Sequence, residues 1–124
     1  MATPATQAPD RQLIQAYGDG GFRVSGLRHQ GAILVLPWRT LRWPAVSFEV
    51  IDAAWLVAAL REEPKPDLLL LGCGPAARPA ASGLRQSLRS TGLALETMDT
   101  GAACRTYNVL LLEERRVAAA LLPV

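Results

Sequence analysis

The segment Leu68-Leu69-Leu70-Leu71-Gly72-Cys73-Gly74-Pro75 restricts the possible folds more than any other. Four consecutive leucines with no polar alternation fit a strand covered on both faces, and the glycines that follow supply the turn that ends it. Such a strand needs packing layers above and below, and the downstream sequence provides them. Residues 80–91 read as a helix with Leu84 and Leu88 on one face and Arg85 and Arg89 on the neighbouring one. Gly92 stands where a left-handed C-cap belongs. Residues 93–98 read as a strand, and Asp99-Thr100-Gly101 opens a helix through about Glu113, with Ala103, Tyr107 and Leu110 or Leu111 as its inward stripe. Arg115-Arg116 makes the next turn and residues 117–122 the last strand. Strand, helix, strand, helix, strand is the order of an α/β layer with parallel neighbours, because parallel strands need a crossover.

The upstream half predicts a different local geometry. Residues 13–17 and 22–25 flank Gly18-Asp19-Gly20-Gly21, a hairpin signal because these residues accept positive φ. Residues 32–36 form another apolar strand between Gly31 and Pro37. Asp52 is placed to cap a helix over residues 53–60, which is apolar all round and therefore predicted to be buried on more than one side. That helix stops near residues 61–63, before Pro64. The expected architecture is a single α/β domain over residues 12–124: a mixed β-sheet with helical crossovers and an N-terminal β-hairpin extension. Residues 1–11 read as a flexible leader.

Composition narrows the function classes. Apolar types make up 50% and charged types 19%, too apolar for a disordered chain. No apolar run is long enough for a membrane-spanning helix. The formal charge of +2 gives no nucleic-acid signal, and Lys65 is the one lysine among 13 Lys and Arg residues. The basic positions thus favour planar, multidentate pairing. Two cysteines allow at most one disulfide, and with no secretory leader pattern the chain reads as cytoplasmic.

Catalytic constellations are scarce. Amides of the Gly72-Cys73-Gly74-Pro75 turn are candidates for cradling an anion, although neither the dinucleotide fingerprint nor a phosphate loop is present. Cys73 is the candidate nucleophile, and its available base is His29, which lies in a polar stretch between two early strands. Cys104 favours small buried packing. One histidine and two separated cysteines make no metal set, and no cofactor is implied. Glu62-Glu63 and Glu113-Glu114 stand beside basic residues at helix ends, where solvated charge is the expected role. The segment Trp38-Arg39-Thr40-Leu41-Arg42-Trp43 mixes the two residue types that dominate binding hot spots, so Trp38, Arg39, Arg42 and Trp43 are candidates for a protein-binding surface.

The stretch Glu96-Thr97-Met98-Asp99-Thr100-Gly101-Ala102-Ala103-Cys104-Arg105-Thr106-Tyr107-Asn108-Val109-Leu110, with Arg115-Arg116 and the alanine-rich segment through Pro123, resembles the MTH938-like family, formerly a domain of unknown function. Tyr17-Gly18-Asp19-Gly20-Gly21-Phe22 and the Leu68 to Gly74 strand and turn are similar to the same family's hairpin and central strand. That family includes a mitochondrial complex I assembly factor and bacterial relatives. The resemblance implies a chaperone-like role exercised through protein contacts, possible partners being subunits of a membrane complex, with no established enzymatic activity. It also marks a family-level pocket at Gly72, Gly74, Asp99, Cys104, Arg105, Tyr107 and Asn108, to which Cys73 is adjacent. The alternative expectation is a small-molecule or anion-binding protein, or a weak enzyme, using the Gly72 turn and Arg105.

Overall fold

The computed structural model describes residues 11–45, 47–61, 65–80 and 82–124. The leader before Arg11, the Glu62-Glu63 pair and Ala81 in the expected start of the second helix lie outside the described residues. Strands β1 (Ile14–Gly18) and β2 (Gly21–Val24) form the predicted hairpin, closed by Asp19 and Gly20 at φ 54° and 77°. Positive φ at both central positions matches the twist of the flanking strands. Ser25 and Gly26, at φ 45° and 88°, repeat this geometry and lead into β3 (Leu27–Gln30), a strand the sequence pattern does not mark. His29 therefore lies within a strand, opposite Phe22, and not between two strands.

Strand β4 (Ile33–Leu36) is entirely buried and turns at Pro37-Trp38 into β5 (Arg39–Arg42). Asp52 caps α1 (Ala53–Ala59), its Oδ1 accepting from the Ala54 and Trp55 amides at 3.0 and 3.2 Å. Burial extends over more than one side, as expected: Leu56 and the following Leu60 face the core, Ala53, Trp55, Val57 and Ala59 are half-buried against it, and only Ala54 and Ala58 face solvent. Alanine is small enough to sit on either side, so an alanine-rich helix carries little directional signal.

Strand β6 (Leu68–Gly72) leads into α2 (Ser82–Arg89), β7 (Ala94–Met98), α3 (Thr100–Leu112) and β8 (Val117–Leu121). Gly92, at φ 83°, follows α2 as its left-handed terminator. The strands form a five-stranded sheet in the order β5-β4-β8-β6-β7 and a separate three-stranded sheet, β1-β2-β3. Both β7 and β8 run parallel to β6, whereas β4 is antiparallel to β5 and β8. The mixed character thus comes from the β4–β5 hairpin, and the N-terminal hairpin belongs to its own sheet.

The leucine run separates two cores. Leu69 and Leu71 point to the face shared with Leu34, Leu56, Leu84 and Leu88. Leu70 points to the other, shared with Phe22, Val24, Ala103, Tyr107 and Leu111. Between them, β8 contributes Ala118, Ala119 and Ala120 opposite larger residues of both neighbours, as in Leu71↔Ala120 and Leu34↔Ala120. Small beside large keeps the interior close-packed. Both cores share one sheet, so the described residues make a single mixed α/β domain.

Candidate functional site

The Gly72 turn sits where β6 meets the start of α3, and its polar groups are consumed by the fold. A Cβ on Gly72 would lie 2.9 Å from Leu121 Cδ2 and 3.1 Å from Thr100 Cα, so glycine here permits close packing. The Cys73 amide donates to the Met98 carbonyl at 2.8 Å. The Gly74 amide donates to Thr100 Oγ1 at 2.9 Å, and that hydroxyl donates to the Leu122 carbonyl at 2.7 Å. Thr100 returns its own amide to the Gly74 carbonyl at 2.9 Å. The fully buried Thr100 hydroxyl thereby ties together the turn, the helix start and the end of the last strand. Amides so engaged are not free to cradle an anion.

Asp99 caps α3 through a 3.0 Å contact from the Ala102 amide. The remaining residues marked by the family resemblance diverge along that helix. Arg105 leans toward the hairpin and donates to Tyr17 Oη at 3.0 Å. Asn108 clamps β1, accepting from the Ile14 amide at 2.9 Å and donating to the Ile14 carbonyl at 2.8 Å. Tyr107 and Cys104 are buried in the core between α3 and the sheet. Burial pushes the Cys104 thiol up to about 12, with Arg105 opposing the shift, so at neutral pH it is a protonated packing group. Burial also raises the Tyr107 hydroxyl, which has no hydrogen-bond partner among the described residues.

Cys73 packs in the cluster on the α1–α2 face, whereas the three-stranded sheet carrying His29 packs on the α3 face. The Sγ of Cys73 points to the Leu71 and Arg78 carbonyls, both at 3.6 Å. Both cysteines are free thiols. Among the described residues no three His, Cys, Asp or Glu side chains gather as a metal-binding group.

The tryptophan segment divides in two. Trp43 is 2% exposed and packs with Leu41 into the α1–α2 core, so it contributes no docking surface. Arg39 and Arg42 are exposed on β5. Trp38, in the β4–β5 turn, is 41% exposed. The Arg11 guanidinium lies 5.4 Å from its ring centroid and donates to the Leu111 carbonyl at 2.8 Å. That carbonyl also accepts from the Glu114 amide at 2.9 Å, and as a second donor to it the arginine is fixed against the ring. Trp38, Arg11, Pro37, Pro66, Leu111 and Arg115 help line a cleft of about 170 Å³. A shallower depression formed by Arg11, Leu13, Leu112 and Glu114 adjoins it. Leu112 and Val109 extend the apolar surface at 66% and 55% exposure. Arg116 pairs with Asp67 at 3.1 Å, and the Arg115 amide donates to the Leu110 carbonyl at 2.9 Å. Sequence reasoning singled out Trp38 but not Arg11, Leu111 or Arg115. Only the fold brings these distant segments together, and no local pattern signals it.

Fold and surface together define a small α/β protein with a mixed sheet, a self-satisfied glycine turn and an arginine–tryptophan cleft. Residues 14–122 match the family described as protein of unknown function (DUF498/DUF598). The chain belongs to that family. An uncharacterised protein of Rhodobacter capsulatus is 39% identical over 111 residues, covering 90% of this chain and 84% of that protein. The NADH dehydrogenase [ubiquinone] 1 alpha subcomplex assembly factor 3 of Danio rerio is 34% identical over 111 residues, covering 90% of this chain. The match spans 64% of that longer relative. The crystal structure of a Bordetella parapertussis protein superposes with a TM-score of 0.85 at 37% identity, covering 98% of this chain and 100% of that one. A Bordetella pertussis protein described as a Mth938-like domain gives a TM-score of 0.79 at 32% identity, covering 99% and 92%.

Proposed function

We propose that this protein is a non-enzymatic assembly factor that binds a subunit of a membrane complex of the NADH dehydrogenase kind, using the surface around Trp38 and Arg11. The observation that carries the reading is the Arg11 geometry. The guanidinium is already fixed by the Leu111 carbonyl and the Trp38 ring, so docking a partner there orders few additional side chains. Tryptophan and arginine in a partly enclosed cleft are the composition of a binding hot spot. The relationship to a factor named for NADH dehydrogenase assembly supports the choice of partner class. A cytoplasmic location goes with this reading. Among the described residues no helix is long and apolar enough to cross a membrane. Small-molecule or anion binding at the Gly72 turn has less support, because the turn's amides and Arg105 already have partners within the fold.

The test is capture of partners by the tagged protein in its own cells, compared with Trp38→Asp. The expected result is recovery of an NADH dehydrogenase subunit by the parent protein and its loss, by about tenfold or more, with the variant at unchanged circular dichroism. Equal recovery by both proteins, or recovery of no such subunit, refutes the proposal.

A further inference from the structure

The outer edge of the five-stranded sheet is chemically unfinished at β7. Within the parallel pair, the even-numbered residues of β7 face β6: the Ala94 amide donates to the Asp67 carbonyl at 3.0 Å and the Met98 carbonyl accepts from Cys73 at 2.8 Å. Period two then directs the amide and carbonyl groups of Leu95 and Thr97 outward. No strand lies beyond β7 among the described residues. The Leu95 carbonyl is held instead by Arg85 Nη1, at 2.8 Å, reaching from α2. Arg85 and Arg89 also line a cavity of about 370 Å³ beside Leu93, Ala94 and Leu95.

We propose that β7 accepts an extended segment of a partner protein as a sixth strand, with acidic side chains on the side that faces α2. Backbone pairing selects an extended occupant, and the charges select its sequence. Side chains of an added strand alternate between the two faces, so every second one meets Arg85 and Arg89. A carboxylate there draws Arg85 from the Leu95 carbonyl, which then accepts an incoming backbone amide. Hydrogen bonds are exchanged and none is lost, and Arg85 covers the edge until a partner arrives. On the other face Glu96 is exposed, so neutral or basic residues suit the intervening positions. A second copy of this chain is a poor occupant, because pairing centred on Glu96 opposes two glutamates and brings two Arg85–Arg89 pairs together. The surface is separate from Trp38, which lies by β5 at the opposite end of the strand order.

The probe is a labelled peptide of about eight residues, blocked at both ends, alternating aspartate and threonine, a typical strand length. Anisotropy reports binding, and amide hydrogen exchange reports where it occurs. The expected result is saturable binding that slows exchange at Leu95 and Thr97 by about tenfold or more and leaves Ala94 unchanged. Thr97→Pro removes an outward amide but no bond to β6, and should weaken binding by about tenfold or more. Arg85→Glu should lose the acidic peptide and gain its lysine counterpart, and this variant carries the test alone if Thr97→Pro does not fold. Trp38→Asp should bind the peptide as the parent does, which separates failure here from failure of the assembly reading. Absence of binding, binding without protection of Leu95 and Thr97, or full binding by both edge variants overturns the proposal. A peptide-free dimer protected at those two amides also overturns it, in favour of a second copy.

Discussion

Replacing Thr100 by valine tests whether the Gly72 turn is a structural junction. Valine matches threonine in shape, so it opens no cavity, but it strands the Gly74 amide and the Leu122 carbonyl that the hydroxyl now satisfies at 2.9 and 2.7 Å. Each buried backbone group left without a partner costs about 1–3 kcal/mol, giving roughly 2–6 kcal/mol for the pair. Thr100→Ser is the control. It keeps both hydrogen bonds and removes one buried methyl, at a cost of about 1 kcal/mol. A domain of this size has roughly 5–15 kcal/mol in total, so the valine variant should lose a large fraction of its stability and the serine variant a small one. Urea denaturation followed by tryptophan fluorescence measures both, with an unchanged slope confirming that the unfolded states compare. If the valine variant is as stable as the serine variant, the bridging role assigned to the hydroxyl is wrong.

Tyr107→Phe should leave stability unchanged or raise it by up to about 1 kcal/mol, since it removes a buried hydroxyl that lacks a partner among the described residues. A thermal-melt loss equivalent to more than about 1 kcal/mol contradicts this. Gly72→Ala should cost about 1–3 kcal/mol by overpacking against Leu121 and the Thr100 backbone, a value that the same urea titration supplies. The Cys104 thiol is raised to about 12 by burial, so the folded state holds a proton that the unfolded chain releases near its ordinary value of about 8.5. That contribution is fully present below about pH 8.5 and fades as pH climbs toward the folded value, with a slope of at most about 1.4 kcal/mol per pH unit. Cys104→Ala should lose this part of the alkaline decline, and equal declines in both proteins between about pH 8.5 and 10 would falsify the assignment.

Legibility in the sequence followed how locally each feature is encoded. The leucine run fixes β6 as a strand because nothing else suits four buried leucines before a glycine turn, and Asp52, Asp99 and Gly92 mark helix ends through chemistry confined to one turn. Strand β3 escaped because Leu27 is its one aliphatic residue and is itself exposed, so the strand is held by backbone pairing and its tight turn. The division into two sheets was equally hidden, since a hairpin signal does not say which sheet receives it. At the surface, Trp38 and Trp43 look alike in sequence, and only the β5 register decides that one packs inward and the other lines the cleft. Arg11 and Leu111 are far apart along the chain, and no spacing rule connects them.

Strand β8 has a consequence for how the protein is made. It follows every other element of the domain in the chain, yet it sits between β4 and β6. During vectorial synthesis the β4–β5 hairpin and the β6–β7 pair emerge first and have no strand to join them. Their facing edges, rich in isoleucine, valine and leucine, stay open until residues 117–121 leave the ribosome. The nascent chain therefore carries two sticky half-sheets that close in one late step, the interval in which trigger-type chaperones or neighbouring nascent chains compete for it. Losing residues 117–121 would not trim an edge; it would leave the five-stranded sheet in two pieces.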